Sequence, residues 1–201
     1  MNRTIKLLIF SDIFVITGFG LIDPIFAIFI NDSLSGGNIA AVGIASTLFL
    51  VTKSLFQVPF ASYADKYESR VFLLILGSFF LTLVPFLFFF SNNIYHIYLA
   101  QIIHGIGAAM AYPTWMGLFS SNLDKNRESF EWAFYETFVG LGTALAAFFG
   151  AQLTIIIGFK NIFIIVGALS LIGLFILFWL DNGKKVGLKY KYIIYKQEVM
   201  K

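Results

Sequence analysis

The sequence has no cysteine, two histidines, four prolines and, across 201 residues, only 12% charged side chains. Without cysteine there is neither a disulfide scaffold nor a thiolate metal site. The two histidines, His96 and His104, do not form a His-Glu-x-x-His zinc site, and neither Gly-x-Ser-x-Gly nor a Gly-Lys-(Ser/Thr) phosphate loop occurs. Serine or metal hydrolysis and ATP-driven pumping are therefore set aside, and the chain is read as a non-enzyme with no metal and no cofactor. Soluble domains carry about 25% charged residues. The scarcity of charge excludes an ordinary soluble domain, and the scarcity of polar residues in general excludes disorder. A net charge of +3 is too small and too scattered to indicate nucleic-acid binding.

What is present is apolar: 59% hydrophobic residues, 25 of them phenylalanine, and a mean hydropathy of +0.84. A bilayer span needs about 20 mostly apolar residues. Six such runs fit, at 6–30, 39–62, 71–90, 94–119, 130–157 and 162–180, divided by polar stretches such as Asn31-Asp32-Ser33 and Ser91-Asn92-Asn93. Backbone amides in hydrocarbon must be satisfied within their own segment, so these runs are predicted helices. Unbroken stretches such as 73–76 and 86–90 exclude the alternation of a strand barrel. The expected organisation is an all-α polytopic membrane protein, with a six-span domain at 1–180 and a basic tail at 181–201. The first run contains Asp12 and Asp23 and is followed by no small-residue cleavage site, so it reads as a retained helix and not as a signal peptide.

Of the 14 Lys and Arg residues, all but Lys53 and Lys160 fall on one side of these spans, at Arg3, Lys6, Lys66, Arg70, Lys125, Arg127 and along the tail. By the positive-inside rule that side is cytoplasmic, which places both termini inside and the protein in the plasma (inner) membrane. The tail, with six lysines and Tyr190, Tyr192 and Tyr195, reads as an anchor on anionic headgroups; a docking or partner-binding segment is the alternative.

An ionisable group at mid-bilayer costs about 2.5–3.5 kcal/mol on insertion scales and needs a reason to be there. The candidates are Asp12 and Asp23 in the first span, Lys53 in the second and Glu136 in the fifth, joined by Gln101 and His104 in the fourth. At 100° per residue, Asp12 and Asp23 share one helix face. Lys53 aligns with Ser46 and Gln57; Gln101 aligns with Gly105, Ala108, Tyr112 and Trp115; Glu136 stands above Gly140, Thr143 and Ala147. Four helices thus offer one polar or small stripe each, as a central cavity requires, whereas spans three and six carry no charge and are expected to face lipid. Plainer roles stand beside these. Asp12 can reach the interface, Lys53 can snorkel or pair with an acid, and Asp23 can stabilise a bend at Pro24. His104 can bridge helices, and Gly105, Gly140 and Gly142 can serve close helix packing.

The second junction reads Ala61-Ser-Tyr-Ala-Asp65-Lys66-Tyr-Glu68-Ser-Arg70-Val71. It resembles the loop of the major facilitator superfamily, Gly-x-x-x-Asp-(Arg/Lys)-x-Gly-x-(Arg/Lys)-(Arg/Lys), with Asp65, Lys66 and Arg70 matching and Ala61, Glu68 and Val71 departing. Gly158-Phe159-Lys160-Asn161-Ile162-Phe163 is similar to the Gly-Trp-Arg-Trp-x-Phe that opens the family's sixth helix. The stretch from Gln101 to Gly107 is similar to Arg-x-x-Gln-Gly-x-Gly of the fourth, with Gln101 in place of the arginine. Of the antiporter pattern Gly-Pro-x-x-Gly-Gly, Gly142 alone remains. The resemblance implies two inverted three-helix repeats forming half of the family fold. In that fold, Asp65, Lys66 and Arg70 latch the cytoplasmic gate. It further implies a parallel homodimer that completes the cavity.

The function expected is secondary transport of a small solute by alternating access, with proton-coupled drug or metabolite export as one form. Asp23 and Glu136 would carry protons or meet a cationic solute, and Lys53 would pair with one of them. Gln101, His104 and Asp12 would lie along the pathway, and Tyr112, Trp115 and Phe19 would supply apolar contact. The alternatives are a membrane scaffold or assembly partner that does not transport, or a truncated half-transporter.

Overall fold

The computed structural model describes residues 1–67 and 69–199, the stretch 181–199 by its backbone alone. Among the described residues seven helices follow one another: α1 (Arg3–Ile22), α2 (Phe26–Ser33), α3 (Ile39–Lys66), α4 (Arg70–Phe90), α5 (Ile94–Ser121), α6 (Glu128–Ile157) and α7 (Phe159–Val199). Six are long and apolar enough to cross a membrane, the last of them over Phe159–Leu180. The six expected spans are therefore present. α7 continues past position 180, where the tail was expected to begin, and the tail's side chains lie outside the described residues.

The first span is interrupted. Asp23 ends α1, its amide N–H donating to the Phe19 carbonyl at 3.1 Å. Pro24 has no N–H to continue the ladder, and helix resumes at Phe26. Side-chain oxygens of Asn2, Asn38 and Asn93 cap the amides that open α1, α3 and α5. Gly158 joins α6 to α7 in a single residue, at φ 79°, a left-handed conformation glycine adopts without strain.

The helices pack as two related triplets: α1 (with α2), α3 and α4, then α5, α6 and α7. The first helix of each triplet lies against the second and third of the other, α1 on α6 and α7, and α5 on α3 and α4, while α4 packs on α7. Three spans per triplet reverse the membrane direction of the second, which gives the inverted repeat. Glycines bring the backbones together. A Cβ at Gly77 would stand 2.6 Å from the Ala111 amide nitrogen, and one at Gly150 would stand 2.5 Å from the Leu21 carbonyl oxygen.

Coverage differs from the expectation that spans three and six face lipid. Half of the apolar stretch of α4 and 44% of that of α7 is buried, against 11% in both α3 and α6. Freedom from charge makes a helix compatible with lipid, but it does not decide which helix is covered by its neighbours. Thr82 Oγ1 donates to the Ser78 carbonyl at 2.8 Å and approaches the Ser170 carbonyl at 3.4 Å, so this hydroxyl is spent within α4 and toward α7, while the buried Ser170 hydroxyl finds no partner among the described residues. On α3 the exposed side chains Val51, Leu55 and Val58 form one stripe. Leu141, Leu145 and Phe148 form its counterpart on α6.

Candidate functional site

α1 and α5 open their own triplets and barely touch each other. Between them lies a cavity of about 350 Å³. α1 contributes Ser11, Asp12, Phe19 and Asp23 to its wall, and α5 contributes His104, Tyr112 and Trp115. Phe49 and Lys53 of α3 reach it from the side, with Ser78 of α4 and Leu177 of α7. The eleven-residue interval between Asp12 and Asp23 does place both on the cavity face.

Each polar group has a distinct setting. Asp12 accepts a hydrogen bond from the Tyr135 hydroxyl of α6. Asp23 stands exposed at the end of α1. Lys53 Nζ lies 4.7 Å from the centre of the Tyr112 ring, a cation–π contact. The His104 ring is held between Phe19 of α1 (4.9 Å, stacked) and Phe49 of α3 (4.3 Å). Its Nδ1 is 3.2 Å from Oε1 of the buried Gln101, one turn away on α5. Trp115 is buried, stacked on Phe119 at 4.8 Å and packed against Tyr135 at 4.6 Å, with its Nε1–H directed at the Leu8 carbonyl.

Several residues are not where their spacing suggested. Glu136 is exposed on α6 and contributes nothing to the cavity wall, because Tyr135, one residue earlier, occupies the face of α6 turned toward α1. Among the described residues Lys53 forms no ion pair with an acid; its partner is the Tyr112 ring. Gln101 sits behind His104, away from the wall. A Cβ on Gly140 would meet nothing within 4 Å, so this glycine faces open space, whereas Gly142 fits against the Thr17 side chain and Gly105 against Thr52 and the Phe49 carbonyl. Four stripes therefore do not converge. The wall is built mainly by α1 and α5.

At the α3–α4 junction, Arg70 Nε donates to Asp65 Oδ1 at 2.9 Å, and a second guanidinium nitrogen lies 2.7 Å from the same oxygen. The guanidinium lies over Gly117 of α5, where a Cβ would be 3.6 Å from Arg70 Nε. Lys66 points elsewhere, toward the Tyr67 ring at 5.2 Å.

A second charged cluster, which sequence reading passed over, lies at the same end. The Met1 amino group pairs with Asp124 and sits 3.1 Å from Glu131 Oε1, while Glu131 Oε2 accepts from the Asp124 amide at 3.0 Å. These carboxylates hold the amino group's pKa above its ordinary value, and the ammonium holds that of Asp124 below the usual carboxylate range. Glu131 is 1% exposed. The available signal was an acid set between Phe130 and Trp132 in a helix's first turn. Tyr135 gave no comparable signal, because its contact with Asp12 crosses 123 positions of sequence.

Comparison with known proteins agrees with this architecture. A sequence model of the Major Facilitator Superfamily matches residues 8–191. The chain is 25% identical over 150 residues to the uncharacterized MFS-type transporter C18.02 of Schizosaccharomyces pombe, covering 73% of this chain and 33% of that protein. It is 21% identical over 146 residues to the quinolone resistance protein NorA of Staphylococcus aureus, covering 72% of this chain and 37% of NorA. The chain thus matches about a third of the length of these relatives. By its family match, its six spans and its pair of inverted triplets, the chain is a multi-pass membrane protein that belongs to the Major Facilitator Superfamily.

Proposed function

We propose that the chain is one six-helix half of a secondary transporter, carrying a small amphipathic solute by alternating access as a parallel pair of copies with both termini cytoplasmic. The observation that carries this reading is the cavity between α1 and α5, where Asp12, Asp23 and Lys53 share a wall with Phe19, Tyr112 and Trp115. Ionisable groups in spans are costly, and they gather where a water-filled path exists. The likeness to NorA of Staphylococcus aureus, a quinolone resistance protein, supports a small organic solute. The stripes on α3 and α6 support pairing: they lie on two helices that the triplet symmetry exchanges, and these are the least covered of the six spans. Arg70 and Asp65 act as the latch at the cytoplasmic end. Asp12 and Asp23 are the carboxyls available for proton coupling, and Glu136, on the bare face of α6, is available to the second copy.

The test combines pairing with uptake. Because the sequence has no cysteine, single cysteines at Leu55 and Leu141 report contact without background. Crosslinking between copies in native membranes, together with norfloxacin or ethidium uptake into liposomes driven by an imposed pH gradient, is the expected result. A monomer without uptake favours instead a scaffold that uses the fold without transport.

A further inference from the structure

We propose that the cavity takes a zwitterionic aromatic solute, its carboxylate on Lys53 and its amine on Asp12. This deepens the transport reading, on which it rests, by naming the substrate class.

The ground is an unmade bond. Lys53 and Asp12 line one cavity, yet no lysine–carboxylate pair within 4 Å forms there among the described residues. Lys53 lies over the face of the Tyr112 ring, and its ammonium makes no side-chain hydrogen bond among the described residues. Asp12 is given one hydrogen bond, from Tyr135, while a carboxylate has about four acceptor sites. Kept apart, each retains part of the cost of leaving water, and that cost falls when a ligand brings the opposite charge with its own hydrogen bonds.

Charge logic then selects the ligand. A simple cation answers Asp12 and Asp23 but leaves Lys53 without a counter-charge, and a simple anion answers Lys53 but leaves both carboxyls without one. A molecule bearing both charges satisfies both ends. The body between them meets Phe19, the edge of His104 and Trp115, all on the cavity wall, so a flat apolar core fits where a purely polar zwitterion would leave aromatic surface wet.

The experiment uses the whole purified chain in lipid nanodiscs and measures anisotropy of 6-(aminomethyl)-2-naphthoic acid, of its methyl ester (a cation) and of its N-acetyl derivative (an anion). We expect the zwitterion to bind at least tenfold more tightly than either derivative. K53M should erase its advantage over the ester, D12N its advantage over the N-acetyl compound, and K53R should restore the first. Equal binding of zwitterion and ester by the unmodified chain, an unchanged preference in folded K53M, or no saturable binding at all overturns the proposal. Preferential binding of the zwitterion without uptake into liposomes upholds the ligand class and overturns transport instead.

Discussion

The Tyr135 hydroxyl of α6 donates to the Asp12 carboxylate of α1, so the best-enclosed acid of the cavity is held by a helix that contributes nothing else to its wall. Y135F removes the donor and leaves the ring. A hydrogen bond to a charged group contributes about 1.5–3 kcal/mol in water-soluble proteins. Cycles in membrane helices average about 0.6 kcal/mol with a maximum near 1.7. The membrane figure governs here, because the unfolded helices still find partners in lipid. A double-mutant cycle of Y135F with D12A, followed by thermal unfolding in detergent, should return a coupling of about 1 kcal/mol; a value near zero would remove the bond from the account.

The glycines divide by what a methyl would meet. At Gly105 it would stand 2.7 Å from Thr52 Cβ and 2.8 Å from the Phe49 carbonyl oxygen, both on α3. G105A should destabilise by about 1–3 kcal/mol, the usual cost of overpacking. G140A meets open space and should leave the melting temperature unchanged or slightly raised, since alanine is the better helix former.

At the latch, Asp65 is 64% and Arg70 33% exposed, and such pairs contribute about 0.2–1 kcal/mol. D65N and R70Q should therefore barely change thermal stability, while cutting solute uptake at least tenfold if the pair gates the cytoplasmic end. G117A should be silent, because its Cβ would reach Arg70 at ordinary contact distance. G117L should displace the guanidinium and behave like R70Q.

The Met1 cluster gives a pH dependence of known sign. Asp124 has its pKa depressed by the ammonium beside it, so its contribution is present above the ordinary carboxylate range and is lost as pH falls through the depressed value. The amino group has its pKa raised, so its contribution is present below its ordinary value and fades as pH climbs through the raised one. Protection from hydrogen exchange at the start of α1, taken relative to the intrinsic rate at each pH, should be greatest near neutrality and fall at both extremes. D124N should abolish the acid limb and weaken the alkaline one, because Asp124 is also the chief cause of the raised amino pKa.

Span number and the Asp65–Arg70 ion pair were legible because both are local: runs of apolar residues between polar breaks, and two charges five positions apart on a junction. Asp12 and Asp23 were legible together because helical period is fixed. The position of Glu136 was not, since periodicity gives the relative angles of residues on one helix and is silent about which angle faces its neighbours. One step along α6, Tyr135 took the inward place. The setting of Lys53 was hidden for a related reason: its ring partner lies on α5, and no rule of spacing connects positions 53 and 112. The bare faces of α3 and α6 ran against the charge pattern, which marks tolerance of lipid and says nothing of tertiary cover.

The loop after α2 is strapped to the loop before α5, the Ser35 amide donating to the Asn92 carbonyl at 3.2 Å and the Ile94 amide to the Ser35 carbonyl at 3.1 Å. Opposite this strap, the Arg70 guanidinium rests on Gly117. With both rims fastened triplet to triplet, the six helices have little freedom to flex against one another and will tilt as a single slab. For the pair of copies proposed above, switching access would then be a matter of slip along the greasy flanks of α3 and α6, and substitutions at Leu55 or Leu145 should alter the tempo of turnover more than the grip on cargo.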